Sequence, residues 1–308
     1  MASAFELNEL YSIPGVLAFT VGANSLVRAE ITSPVCTAEL YLHGAHLAQW
    51  HPRHTAEPVL FLSPNSFFEP GKAIRGGVPV IFPWFGARTT AVTGNSTEGS
   101  QHGFVRTAEW ELSFAAAVGD DVHLVMTLGA SDSTRALGFD GFRVAMEFRL
   151  GRELHMRMIV ANEGAEPLVF EQALHTYLTV GDPKQVKILG LGQTEFLDKT
   201  DGYKRKTQDD DVLTLTSETD RPYLNTAATV TVEDPLLKRK IIVSKTGSRT
   251  TVVWNPWNEL AEKLADLGEE AWKHFVCVET ANASEDRITL APGSAHAMDA
   301  HIIAEELA

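Results

Sequence analysis

Phe142-Arg143-Val144-Ala145-Met146-Glu147-Phe148-Arg149-Leu150, then Gly151-Arg152-Glu153, then Leu154-His155-Met156-Arg157-Met158-Ile159-Val160 is the stretch that decides the fold. Apolar residues recur at every second position in both arms, the period of a strand with one buried and one wet face. Three residues are too few for a crossover, so the arms form an antiparallel hairpin. The same texture extends outward. Strands are expected at 26–31, 38–42, 122–128, 168–180, 228–233, 240–244, 250–254, 275–279 and 297–304. One helix is expected, starting at Asn255-Pro256, carrying Leu260, Leu264 and Leu267 and stopping by Gly268. Segments 87–100 and 198–211 read as exposed connections. Many strands, few helices and no fixed-period repeat point to an all-β chain built as a large antiparallel sandwich. No linker divides it, so residues 1–308 are read as one domain.

The chain has 308 residues, with 40 acidic against 26 basic side chains and a formal charge of −14. That balance argues against nucleic acid or an anionic membrane surface as partner. An anionic small substrate would need a local basic cluster to be held against the overall field. The two cysteines, Cys36 and Cys277, lie far apart and in no metal-ligand spacing, which fits a reducing compartment. The N-terminus lacks the basic and apolar segments of a signal peptide, and the longest apolar run, 78–87, is short and broken by Pro79 and Pro83. A soluble, cytoplasmic protein is expected. The sequence does not set an oligomeric state, and a monomer is compatible with it.

A candidate ligand site emerges from Lys72-Ala73-Ile74-Arg75-Gly76-Gly77-Val78-Pro79-Val80-Ile81-Phe82-Pro83-Trp84-Phe85-Gly86 and from Gln101-His102-Gly103-Phe104-Val105-Arg106. Two arginines, a glutamine and a histidine sit here in apolar, glycine-broken sequence, where an unpaired guanidinium is costly to bury. A ligand phosphate or carboxylate would satisfy them, and so would protein carboxylates. Gly76, Gly77 and Gly103 are expected to let the backbone approach a ligand. In 168–178 the two-residue period puts Glu171, His175 and Tyr177 on one face and Phe170, Leu174 and Leu178 on the other. His175 could be structural or a proton carrier. Glu279 falls on the side of Phe275 and Cys277, so its carboxylate points to an apolar face. It reads either as a general base or as a salt-bridged core acid. Trp254, Trp257 and Trp272 could stack on a sugar, although core packing explains each of them. His43, His46, His51 and His54 match no metal motif, and Pro52 breaks any helix that would align them.

In their order and spacing these pieces resemble the hexose-6-phosphate mutarotases (glucose-6-phosphate 1-epimerases), a branch of the galactose-mutarotase-like superfamily. The resemblance runs through Phe68-Glu69-Pro70-Gly71-Lys72-Ala73-Ile74-Arg75-Gly76-Gly77-Val78-Pro79, Gln101-His102-Gly103-Phe104-Val105-Arg106 and Leu174-His175-Thr176-Tyr177-Leu178. It continues in Leu197-Asp198-Lys199, Thr219-Asp220-Arg221, Trp254-Asn255-Pro256-Trp257 and Val276-Cys277-Val278-Glu279. It implies an antiparallel β-supersandwich with a few short helices, His175 as general acid and Glu279 as general base. It also implies substrate contacts from Arg75, Gln101, Arg106 and Asp220, with the arginines on a phosphate. His102 falls where the wider superfamily has a second active-site histidine. The galactose enzymes follow that histidine with two glycines; Gly103-Phe104 stands here and favours the sugar-phosphate branch.

The chemistry so implied is the exchange of α and β anomers of an aldohexose 6-phosphate. It asks for one acid and one base and for no metal or organic cofactor. Two other expectations remain open on the same residues: a mutarotase of unphosphorylated aldoses, and a sugar-binding or regulatory protein without turnover.

Overall fold

The computed structural model describes residues 2–93 and 97–307, so the middle of the expected 87–100 connection, residues 94–96, lies outside the described residues. Two large sheets dominate. The nine-stranded one runs, in spatial order, Val212–Leu213, Lys187–Leu189, Val230–Asp234, Arg239–Thr246, Ala295–Glu306, Leu154–Asn162, Phe142–Leu150, Asp121–Gly129 and Glu111–Val118. The deciding hairpin sits inside it as expected, with Leu150 opposite Leu154. The eight-stranded sheet runs Lys204–Thr207, Glu195–Asp198, Thr219–Tyr223, Thr250–Asn255, Phe275–Asn282, Gln172–Leu174 and Val80–Ile81, with Tyr177–Thr179 also paired to Phe275–Asn282. A four-stranded meander covers residues 17–52, and Leu168–Phe170 pairs with Ile288–Leu290.

The architecture is the antiparallel β-supersandwich. Alternation explains the packing: Val144, Met146, Met156 and Met158 from one large sheet share a single buried cluster with Leu174, Leu178, Val276 and Val278 from the other. The opposite face of the eight-stranded sheet is buried too. There Phe275 and Cys277 join Phe61, Tyr177, Trp254 and Trp272 in a second cluster. Phe275–Asn282 is therefore covered on both sides, and every residue along it is buried, the polar Glu279, Thr280 and Asn282 included.

Four expectations need correction. Segment 168–180 is not one strand. It changes sheet at Glu171 and loses regular pairing at His175-Thr176, where Thr176 N–H donates to Leu174 O. Segment 198–211 is not an open loop but holds the second half of a hairpin, Glu195–Asp198 against Lys204–Thr207, whose strand period does not show because Lys204, Arg205 and Thr207 are all exposed. The helix after Pro256 spans only Trp257–Ala261, and Leu264 and Leu267 are reached by successive turns. Asn255 holds this corner by accepting from Trp257 N–H and donating to Trp272 O and Phe275 O. A helix at Ala4–Tyr11 also went unexpected. Its signal is Ser3 with Glu6, which cap each other's backbone N–H groups.

Candidate active site

The register of one strand pair builds the centre of the site. Leu174 faces Thr280 and Tyr177 faces Cys277, and the same register carried across the gap sets His175 opposite Glu279. Their side chains meet, with His175 Nε2 3.4 Å from Glu279 Oε1. Both are buried, at 7% and 1% residue exposure. Burial pushes Glu279 well above the usual carboxylate range. His175 is driven well below the ordinary imidazole range, first by burial and then by Arg75 and Arg106. Both shifts favour the uncharged pair, a protonated carboxyl beside a neutral ring. His175 Nδ1 and Glu279 Oε2 have no hydrogen-bond partner among the described residues.

Aromatic rings fix the imidazole. Tyr177 stacks on His175 with centroids 4.9 Å apart at 13°, and Trp254 meets it edge-on at 5.7 Å and 84°. Trp257 packs instead on Trp272, at 4.6 Å, so the three tryptophans do not form one wall. Glu171 does not join His175 and Tyr177. Its carboxylate accepts from Phe85 N–H and Ser284 N–H and pins the Phe85 loop.

His102 closes another side, edge-on to His175 at 5.6 Å. Its backbone is left-handed, φ 64°, and it is held by its own N–H on Gly86 O and by Gly86 N–H on Nδ1. Because Nδ1 accepts, the ring proton sits on Nε2. Burial and then Arg106 push its basicity well below normal, so His102 is a neutral donor. The glycines do not approach a ligand as expected. A Cβ on Gly76 would lie 2.5 Å from Phe61 O, on Gly77 2.2 Å from Leu47 O, and on Gly103 1.9 Å from Phe82 O. They let backbone cross backbone, and those crossings aim Arg75 and His102.

The arginines are not equivalent. Arg75 is tied to Asp266, with Nη2 3.0 Å from Oδ2, and donates to the Tyr177 hydroxyl at 3.1 Å. Arg106 donates to Gln101 O at 2.7 Å, its buried Nε lacks a partner, and no ion pair forms to it among the described residues. Burial and then Arg75 push its guanidinium down to about 10, still charged at neutral pH. Gln101 supplies that backbone carbonyl while its side chain is exposed. Asp220 lies one strand beyond Trp254 on the same face and pairs with Lys199 at 3.0 Å. Burial raises the Asp220 carboxyl, against the pull of Lys199.

Sequence reasoning missed Lys199, which sits on the Phe85 ring at 4.8 Å and acts electrostatically on Glu279. It also missed Asp266. The Lys199 signal lies in Leu197-Asp198-Lys199, next to a charged, exposed strand whose composition is that of a surface connection. The four early histidines disperse: His43 bonds Glu109 and Lys72 O, His51 bonds Thr55 O, His54 bonds Ala304 O, and His46 is buried and pushed down to about 3 by burial and then His43. The two cysteines are free and buried. Among the described residues no helix is long and apolar enough to cross a membrane.

The family model described as Aldose 1-epimerase matches residues 28–302. An Escherichia coli K12 protein named "Putative glucose-6-phosphate 1-epimerase" is 36% identical over 266 residues, 86% of each chain. A protein of the same name from Cenchrus ciliaris is 33% identical over 267 residues, 84% of this chain and 78% of that one. The crystal structure of a "putative mutarotase" from Salmonella typhimurium superposes with a TM-score of 0.87 at 30% identity, covering 96% of both chains.

Proposed function

The chain belongs to the aldose 1-epimerase family and is an isomerase, and from that premise we propose that it interconverts the anomers of an aldohexose 6-phosphate, glucose 6-phosphate foremost, with His175 and Glu279 moving the protons. The relatives' names support the substrate. The observation that carries it is Arg106: a half-buried cation whose Nε is shut off from solvent and which has no carboxylate partner among the described residues, beside Arg75 and within electrostatic reach of His175. A phosphate would take the place that protein acids leave unfilled.

The reaction needs an acid and a base that reach two oxygens on one carbon, so the two groups must be neighbours. At 3.4 Å, His175 and Glu279 are. Glu279 as carboxylate removes the proton from the C1 hydroxyl as the C1–O5 bond breaks, and imidazolium at His175 delivers a proton to O5. The open-chain aldehyde turns about C1–C2 and presents its other face. O5 then attacks C1 while His175 takes back its proton and Glu279 returns one to O1. The unliganded pair shares one proton, held on Glu279, and moving it to His175 makes the working form. Substrate promotes that move, because the phosphate offsets the two arginines that add to burial in keeping His175 from charging. His102 Nε2–H donates to a sugar oxygen, and Asp220 and the exposed Gln101 side chain receive hydroxyls at the rim. Arg75 and Arg106 anchor one end of the sugar while the other turns.

Residues 1–308 act as one catalytic domain in this reading, supported by the core shared between the two large sheets. The free, buried cysteines support a cytoplasmic setting. Anomer exchange followed by NMR with glucose 6-phosphate tests the proposal, and a protein that adds nothing to the spontaneous rate overturns it. Arg106→Ala is expected to raise KM for the phosphorylated sugar about 10- to 100-fold, the scale of a lost charged hydrogen bond, while leaving KM for free glucose unchanged. Equal loss on both sugars would remove the phosphate from Arg106.

A further inference from the structure

A second constellation lies on the nine-stranded sheet, on the face turned away from the core. His155 and His301 are directly opposed in register on neighbouring antiparallel strands, and their rings stack at 3.8 Å and 11°. Glu153, from the turn of the hairpin that decides the fold, reaches over both. Its Oε2 is 2.7 Å from His301 Nε2 and 3.7 Å from His155 Nε2. A single carboxylate–imidazole hydrogen bond would account for His301. It does not account for a second ring stacked on the first with its nitrogen turned to the same oxygen.

We propose that Glu153, His155 and His301 form a site for one divalent late first-row metal ion, zinc foremost, that ties the hairpin turn to strand Ala295–Glu306. The three donor atoms all lie within 4.8 Å of one another. A tetrahedral zinc with bonds near 2.1 Å spaces its donors about 3.4 Å apart, between the two distances to Oε2. The partly exposed rings must rotate toward each other to close on it. Two imidazoles and one carboxylate suit zinc, copper(II) or nickel(II); calcium and magnesium want more oxygens. The cations nearby are already neutralised, Arg149 by Asp121 at 2.7 Å and Arg157 by Asp299 at 3.7 Å. His155 and His301 also line a hollow of about 480 Å³, which leaves room for water in the fourth position.

The test uses the full chain without an affinity tag, stripped with chelator and titrated with zinc chloride in a non-chelating buffer. Calorimetry should show one tight zinc per chain. His155→Ala and His301→Ala should each weaken it by about tenfold or more, the scale of losing one of three ligands. Zinc should raise the melting temperature of the wild type and not of the double variant. Anomer exchange should be unchanged in all three variants. Zinc should also shift the imidazole NMR signals of His155 and His301 in the wild type, a readout that needs no variant to fold. No saturable uptake, uptake unaltered in the double variant, or NMR shifts confined to other histidines would overturn the site.

Discussion

Glu279 presents Oε1 to His175 and leaves Oε2 buried without a partner among the described residues. A core acid kept for stability would be paired on both oxygens; this one costs stability when it ionises. Its folded pKa is raised, so its contribution is intact below the unfolded carboxyl value and is lost as pH climbs through the folded one. Glu279→Gln is therefore expected to lower kcat for anomer exchange by about 10²- to 10⁴-fold while the melting temperature at alkaline pH holds or rises. A variant that keeps its rate would end the assignment of Glu279 as base. The residue scale was partly legible: alternation in Phe275-Val276-Cys277-Val278-Glu279 put the carboxylate on the side of Cys277, where the structure has it. The partner of Arg75 was not legible, because Asp266 is 191 residues away and belongs to no pattern.

The hairpin Glu195–Asp198 with Lys204–Thr207 matters because it delivers Lys199 to the site's rim. Lys199 is a cation that favours ionised Glu279, so removing it raises the carboxyl further. Lys199→Met should accordingly move the acidic limb of the kcat profile to higher pH; a limb that stays put would separate Lys199 from the base. The segment leading to His102 depends on Gly103, at φ 73° and with Phe82 O where a Cβ would stand. Gly103→Ala should cost about 2–4 kcal/mol in chemical denaturation and lower kcat through displacement of His102. Strands were readable wherever one face is wet and the other dry. Sequence pattern failed at 168–180, because a chain that changes sheets keeps its composition while its hydrogen-bond partners change.

Across the molecule, a net charge of −14 opposes the anionic substrate proposed, which the cluster of Arg75, Arg106 and Lys199 would hold locally. Binding and chemistry are joined there, since the arginines proposed to hold phosphate also depress His175. Inorganic phosphate is therefore expected to raise the His175 pKa seen by NMR and to compete with glucose 6-phosphate. Binding without that shift would uncouple anchor from acid.

The sequence by itself determined the all-β sandwich and the deciding hairpin, and it singled out His175, Glu279 and His102 as candidates but not Lys199 or Asp266. Alternation records burial directly, and the ordered motifs carry the family likeness. Tertiary structure alone decided which carboxylate would quiet Arg75, that no ion pair reaches Arg106 among the described residues, that His175 and Glu279 touch, and that the glycines serve backbone crossings. Those are contacts between segments far apart in the chain, and period and composition describe only the neighbourhood of each residue.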